Sequence, residues 1–266
     1  MPGSGPDPGL GPPVRSLFRD VVTDRMLGGQ LPPQAAMLYE GGVDPSRDGD
    51  AGFLADFLHE FLHQDTCTPV TADGVPLLAV LAADDRVPPQ QRYALAGLLL
   101  SIATVTERHL AESWPRPAPH ADPDSEQRAR QAVELELAGL LARWGVECPA
   151  VRLALAGLAV VFPMARTLPA LSARLWGCVD RYPEGTDLGD YVRFVLVLAA
   201  RDDHRTLAAL EAWTDIRRQG TARQVPVRAR ALHLLEQMFR ALFQGRRVAS
   251  TQNSLPSGSA SVTQLS

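Results

Sequence analysis

The chain has 266 residues, enough for one large domain or two small ones around a substantial core. Apolar residues make up 45%, charged residues 21% and the net charge is −4, which excludes a wholly disordered chain and argues against a general nucleic-acid binder. Aromatics are only 6%, and Ala, Leu and Val dominate the apolar set, so close-packed helices are favoured over a β-sandwich.

In chain order, residues 1–13 are mostly Pro and Gly. They lack the basic start and apolar run of a signal peptide and are expected to be disordered. Helices are predicted near 14–27, 50–64, 73–83, 88–110, 125–145, 148–162, 167–181, 187–200, 203–219 and 226–244. Short turn signals (DGD, TADG, RVPP, VECP, PEGTD, RQVP) separate most of them. Nearly every helix follows Asp, Thr or Pro, which cap or preorganise a first turn. Within 112–125, four prolines in nine residues predict a stiff exposed connector. Residues 248–266 are Ser/Thr-rich and uncharged, and read as a disordered tail. No strand is predicted. The longest apolar stretches, Ala94–Val105 and Leu153–Met164, are too short to span a bilayer, so a soluble, cytoplasmic protein is expected. The isolated Cys67, Cys148 and Cys178 fit a reducing compartment and buried packing. All 26 basic residues are Arg.

An internal repeat organises this pattern. Gln91–Leu100 (QRYALAGLLL) matches Val151–Val160 (VRLALAGLAV), and each follows a proline, Pro89 or Pro149. Weaker copies begin at Val192-Arg193 and Val227-Arg228, so the repeated Arg recurs at steps of 60, 41 and 35 residues. Small residues at Ala94, Ala96 and Gly97, and again at Ala154, Ala156 and Gly157, predict close helix approach. A mid-helix Gly costs about 1 kcal/mol against Ala, so its reuse at one repeat position implies a packing role.

Pro149-Ala150-Val151-Arg152 and the Ala/Leu helix after it resemble the start of a HEAT repeat, Pro-x-Val-Arg followed by a small, apolar helix. The stretch His63–Leu81, with His-Gln at a helix end, a Thr-Ala turn and Val75-Pro76, is similar to one found in HEAT-repeat proteins of the actinobacterial kind. The resemblance covers residues 50–245. It implies an all-α, HEAT-like helical-hairpin solenoid of about ten helices over 14–247, whose concave surface binds another protein. The 112–125 connector departs from regular HEAT spacing.

One segment carries catalytic chemistry on paper. His59-Glu60-Phe61-Leu62-His63 fits HExxH, in which two His one turn apart hold Zn²⁺ and Glu60 acts as general base. The apolar stripe Phe53, Leu54, Phe57, Leu58, Phe61, Leu62 turns both His away from the core, whereas a zinc peptidase encloses them. Thr66 stands where the longer metal motif needs Gly, and no spacing selects Glu107 or His109 as third ligand. Charge gives a second lead. Residues 201–266 hold ten Arg and five acids, leaving −9 on residues 1–200. Arg217, Arg218, Arg223, Arg228 and Arg230 are the candidate partner-binding residues of this basic end, beside Arg240, Arg246 and Arg247. HEAT-like DNA glycosylases bind duplex DNA in a basic groove, but spread that charge over several repeats. The expectation is a non-enzymatic protein-binding scaffold without cofactor or membrane. A zinc-dependent hydrolase and a nucleic-acid-binding module are the alternatives.

Overall fold

The computed structural model describes residues 16–42, 49–162, 168–213 and 224–252. Among them the chain forms twelve α-helices, two short 3-10 turns and no strand. The helices are α1 (Leu17–Leu27), α2 (Pro33–Gly42), α3 (Gly49–Phe61), α4 (Thr71–Ala83), α5 (Pro89–Ala103), α6 (Val105–Ser113), α7 (Pro123–Ala142), α8 (Pro149–Val161), α9 (Leu168–Val179), α10 (Asp187–Ala199), α11 (Asp203–Trp213) and α12 (Val227–Gln252). The 3-10 turns are His63–Asp65 and Arg143–Gly145. None of the described helices is long and apolar enough to cross a membrane.

Local chemistry sets the helix starts. Pro89, Pro123 and Pro149 occupy first-turn positions, where a missing N–H costs nothing. Asp122 accepts from the Ser125 N–H at 3.2 Å, and Thr186 from Gly189 at 3.1 Å. The start of α1 is capped from a distance. The Asp50 carboxylate accepts from the Phe18 N–H at 2.9 Å and the Leu17 N–H at 3.2 Å, where the helix end is most positive.

One core runs through the described helices. At the N-terminal end Phe53, Phe57 and Phe61 form the buried face of α3, packing with Phe18 and Tyr39. In the centre α4 and α5 pack on α7 and α8, so the chain closes across residues 114–122, which join α6 to α7. The helices carrying the repeat lie side by side: α8 against α5, α10 against α8, α12 against α10. Helix α12 also lies along α6 and touches α5 and α8, which joins the fourth copy to the first. An open one-dimensional array leaves such distant copies apart.

Gly97 and Gly157 hold matching places in this row. A Cβ on Gly97 would meet the Phe239 ring at 2.6 Å, and one on Gly157 would fall on the Tyr191 hydroxyl. Tyr191 and Phe239 are themselves buried, Phe239 stacks on Tyr93 with centroids 4.7 Å apart, and the Tyr191 hydroxyl donates to the Leu153 carbonyl at 3.1 Å.

Three elements differ from the sequence reading. Helix α2, Pro33–Gly42, lies between the predicted 14–27 and 50–64 helices, where no helix is predicted. The predicted 88–110 helix is two, parted at Thr104, whose buried hydroxyl donates back to the Leu100 carbonyl at 2.8 Å. The last helix runs through Gln252, past the boundary expected at 248.

Candidate functional site

The HExxH residues do not share one helix. Helix α3 ends at Phe61, and Leu62 leaves helical geometry with φ −121° and ψ 47°. His63 therefore opens the separate 3-10 turn His63–Asp65. The Thr71 hydroxyl takes the Phe61 carbonyl, and the Thr66 hydroxyl takes that of His63 at 3.0 Å, so side chains replace the next helical turn. Both imidazoles are exposed, with ring centroids 5.6 Å apart, and His63 Nδ1 lies 3.3 Å from the His59 carbonyl. The two possible third ligands are engaged elsewhere. Glu107 pairs with Arg130, and His109 Nδ1 lies 2.9 Å from Glu126 Oε1. Among the described residues no group of three His, Cys, Asp or Glu side chains is placed to hold a metal. Leu58, read as part of the apolar stripe, is 47% exposed.

The repeated arginines are internal fasteners. Arg92 Nη1 donates to the Val87 carbonyl at 2.6 Å, Arg152 Nη2 to Gly145 at 3.0 Å, and Arg193 Nη1 to Tyr182 at 2.8 Å. Each ties its helix to the turn before it. Arg228 instead reaches across to the end of α8, donating to the Val160 and Val161 carbonyls at 3.1 and 2.9 Å. Burial lowers the Arg228 pKa from its ordinary value. Its guanidinium thus satisfies carbonyls at a helix C-terminus, where positive charge is favoured. Arg230 is half-buried on the same helix, while Arg217, Arg218 and Arg223 lie outside the described residues. The structure therefore brings no cluster of these five arginines together among the residues it describes.

The buried charges are likewise occupied in holding helices together. Arg108 on α6 donates to Glu236 of α12 at 2.6 Å and, through Nη2, to the Asp65 carbonyl at 2.7 Å. Asp65 sits at φ 62°, so the turn after the HExxH segment is pinned by an arginine some forty residues on. Arg240 adds a second donor to Glu236 at 2.7 Å. A parallel hub joins Arg92 to Glu147 at 2.9 Å, with Arg143 donating to Glu147 and pairing with Asp85. The Asp84 carboxyl is held well below the usual range, chiefly by the Arg86 side chain and also by Arg25. Cys67 is buried, and desolvation, with Glu126 nearby, pushes its thiol up to about 12. It is a packing residue and a poor nucleophile at neutral pH.

Against this occupied interior, a few large apolar side chains face outward. Leu135 on α7 is 82% exposed, Val146 just beyond it 73%, and Trp176 on α9 63%. Around Trp176 the exposed residues of α9 are small or charged, Ala173, Arg174 and Gly177, with Asp180 and Arg181 exposed just past the helix end. Arg174 lies over the buried Trp144 ring, 6.0 Å from its centroid, which fixes this part of α9 against the turn following α7. Searches of family models, curated proteins and solved structures return no match to this chain. Sequence reasoning passed over Trp176 because Cys178 beside it was read as mid-helix packing. The signal lay in the spacing: Leu171 and Leu175 form the buried stripe, and Trp176 falls off it.

Proposed function

We propose that this chain is a HEAT-like helical-repeat scaffold that binds another protein through an outward helix face and carries no catalytic step of its own. The observation that carries the reading is Trp176. A tryptophan carries one of the largest apolar surfaces of any side chain and is among those enriched at the centres of protein interfaces. It stands on a helix fixed to the core by Leu171 and Leu175, with the small Ala173 and Gly177 and the charged Arg174 exposed around it. The repeat logic supports the scaffold half of the reading. Equivalent glycines receive aromatic rings, and equivalent arginines tie helices to turns, so the polar groups with catalytic potential serve the array. Because α12 closes onto α5 and α6, the partner surface is assigned to an exposed helix face in place of a long concave groove.

The test is a photo-reactive amino acid placed at position 176 in the full chain, expressed in its native host. The expected result is one dominant cross-linked protein that disappears when the probe is moved to the buried position 171. Labelling indistinguishable from that of an exposed polar site, such as position 131, would sink the reading.

A further inference from the structure

We propose that His233 makes α12 an acid-released latch: α12 closes on α6 while this imidazole is neutral, and protonation loosens that contact ahead of the rest of the fold. The inference is independent of the function proposed above, which rests on α9, a helix packed on α8 and α10.

Helix α12 is the element that closes the array. It lies along α6 and also reaches α5, α8, α10 and α11. Its buried apolar residues are Ala229, Ala231, Leu232, Leu235 and Phe239, with the Phe239 ring against Gly97. No described helix follows it, so it can part from α6 without drawing another described helix after it.

Apolar contact does not respond to pH, but His233 lies in the same interface. Its side chain is 18% exposed. Nδ1 is buried and has no hydrogen-bond partner among the described residues. Nε2 is the satisfied end, 2.7 Å from the Gln237 amide and 3.8 Å from Glu112 Oε1 of α6. A neutral imidazole carries one N–H and can place it on Nε2, toward these partners. An imidazolium carries a second N–H on Nδ1, where neither an acceptor nor water reaches it. An unpaired donor on a buried charged ring costs more than an unpaired lone pair on a neutral one.

The surrounding charges do not supply a counter-ion. Glu112 and Arg108 face His233 from α6, and Glu236 and Arg240 from α12 itself. Glu236 already accepts from both arginines, Arg108 at 2.6 Å and Arg240 at 2.7 Å. Glu112 is more than half exposed, so water screens its pull. A protonated His233 is thus a third cation beside two that share one buried carboxylate. His109, the histidine of α6, turns instead toward Glu126 of α7. Once α12 parts from α6, the imidazole regains solvent, so the open form binds a proton first. The closed form keeps its full advantage above about pH 6.5. Below that it loses at most about tenfold in its closing equilibrium per pH unit, until the closed form is protonated as well.

Hydrogen exchange of the full chain, followed by mass spectrometry and divided by the intrinsic rate at each pH, tests this directly. At about pH 7.5, residues 229–240 should already be less protected than α4. At about pH 5.5, where free carboxylates remain ionised, α12 should lose several-fold in protection, with about tenfold as the ceiling. His233→Gln, uncharged at both pH values, should show no such loss. The imidazole resonances of the wild-type chain give a reading that needs no variant, since His233 should titrate with a midpoint below about 6.5. A midpoint at or above that value, or α12 protection equal at the two pH values, would overturn the proposal. So would a folded His233→Gln protein that loses as much protection as wild type, or α12 and α4 equally protected throughout.

Discussion

Gly157→Ala should destabilise the protein, although alanine is the better helix former. The added Cβ would fall on the Tyr191 hydroxyl. Tyr191 is 0% exposed and its hydroxyl bonds the Leu153 carbonyl at 3.1 Å, so the ring has nowhere to retreat without breaking that bond. Overpacking costs about 1–3 kcal/mol, and a lost buried hydrogen bond about 1–3 kcal/mol more. The gain in helix propensity returns about 1 kcal/mol. The net expectation is a loss of about 1–5 kcal/mol. Gly139→Ala is the matched control. Among the described residues nothing lies near a methyl group there, so the protein should gain about 0.5–1 kcal/mol. Urea unfolding followed by circular dichroism reads both midpoints. Tyr191→Phe removes the obstructing oxygen, so Gly157→Ala should cost less in that background than in the wild type. A Gly157→Ala protein as stable as wild type, or one whose loss is unchanged by Tyr191→Phe, would refute this account of the repeat contact.

Three further outcomes are expected. Glu236→Gln leaves Arg108 buried without its carboxylate partner and should cost about 3–5 kcal/mol in the same unfolding assay. Burial lowers the His233 pKa below its ordinary value near 6.5, so the unfolded chain takes up a proton first as pH falls. Stability from this group is complete above about pH 6.5 and declines below it, and His233→Gln should flatten the stability-against-pH curve in that acid window. Elemental analysis after dialysis against a mild chelator should find no stoichiometric zinc, because His63 lies beyond the end of α3. One zinc per chain, lost in His59→Ala, would reverse the reading of that segment.

Much of the architecture was legible because helix signals are local. Pro89 and Pro149 mark the helix starts that they occupy, and the shared Gly97 and Gly157 positions pointed to close contacts before any ring was placed beside them. Interruptions were harder to read. Thr104 and Leu62 break helical runs whose apolar spacing continues: after Leu62 the Thr71 hydroxyl takes the Phe61 carbonyl, and at Thr104 the backbone turns to φ −113° while its hydroxyl and its N–H both bond the Leu100 carbonyl. The burial of Arg228 was not legible at all. It depends on α12 returning to the end of α8, a tertiary contact with no trace in the sequence around residue 228. Trp176 was visible in the spacing of α9, but its meaning came only once the other polar candidates proved to be holding helices together.

The most direct test of the scaffold reading is the affinity of wild type and Trp176→Ala for the protein captured by the position-176 cross-link, measured by calorimetry with purified components. A tryptophan at the centre of an interface carries about 2 kcal/mol or more, so binding should weaken by roughly thirtyfold or more while the unfolding midpoint stays put. Equal affinity for the two proteins would contradict the assignment of the partner surface to this face of α9.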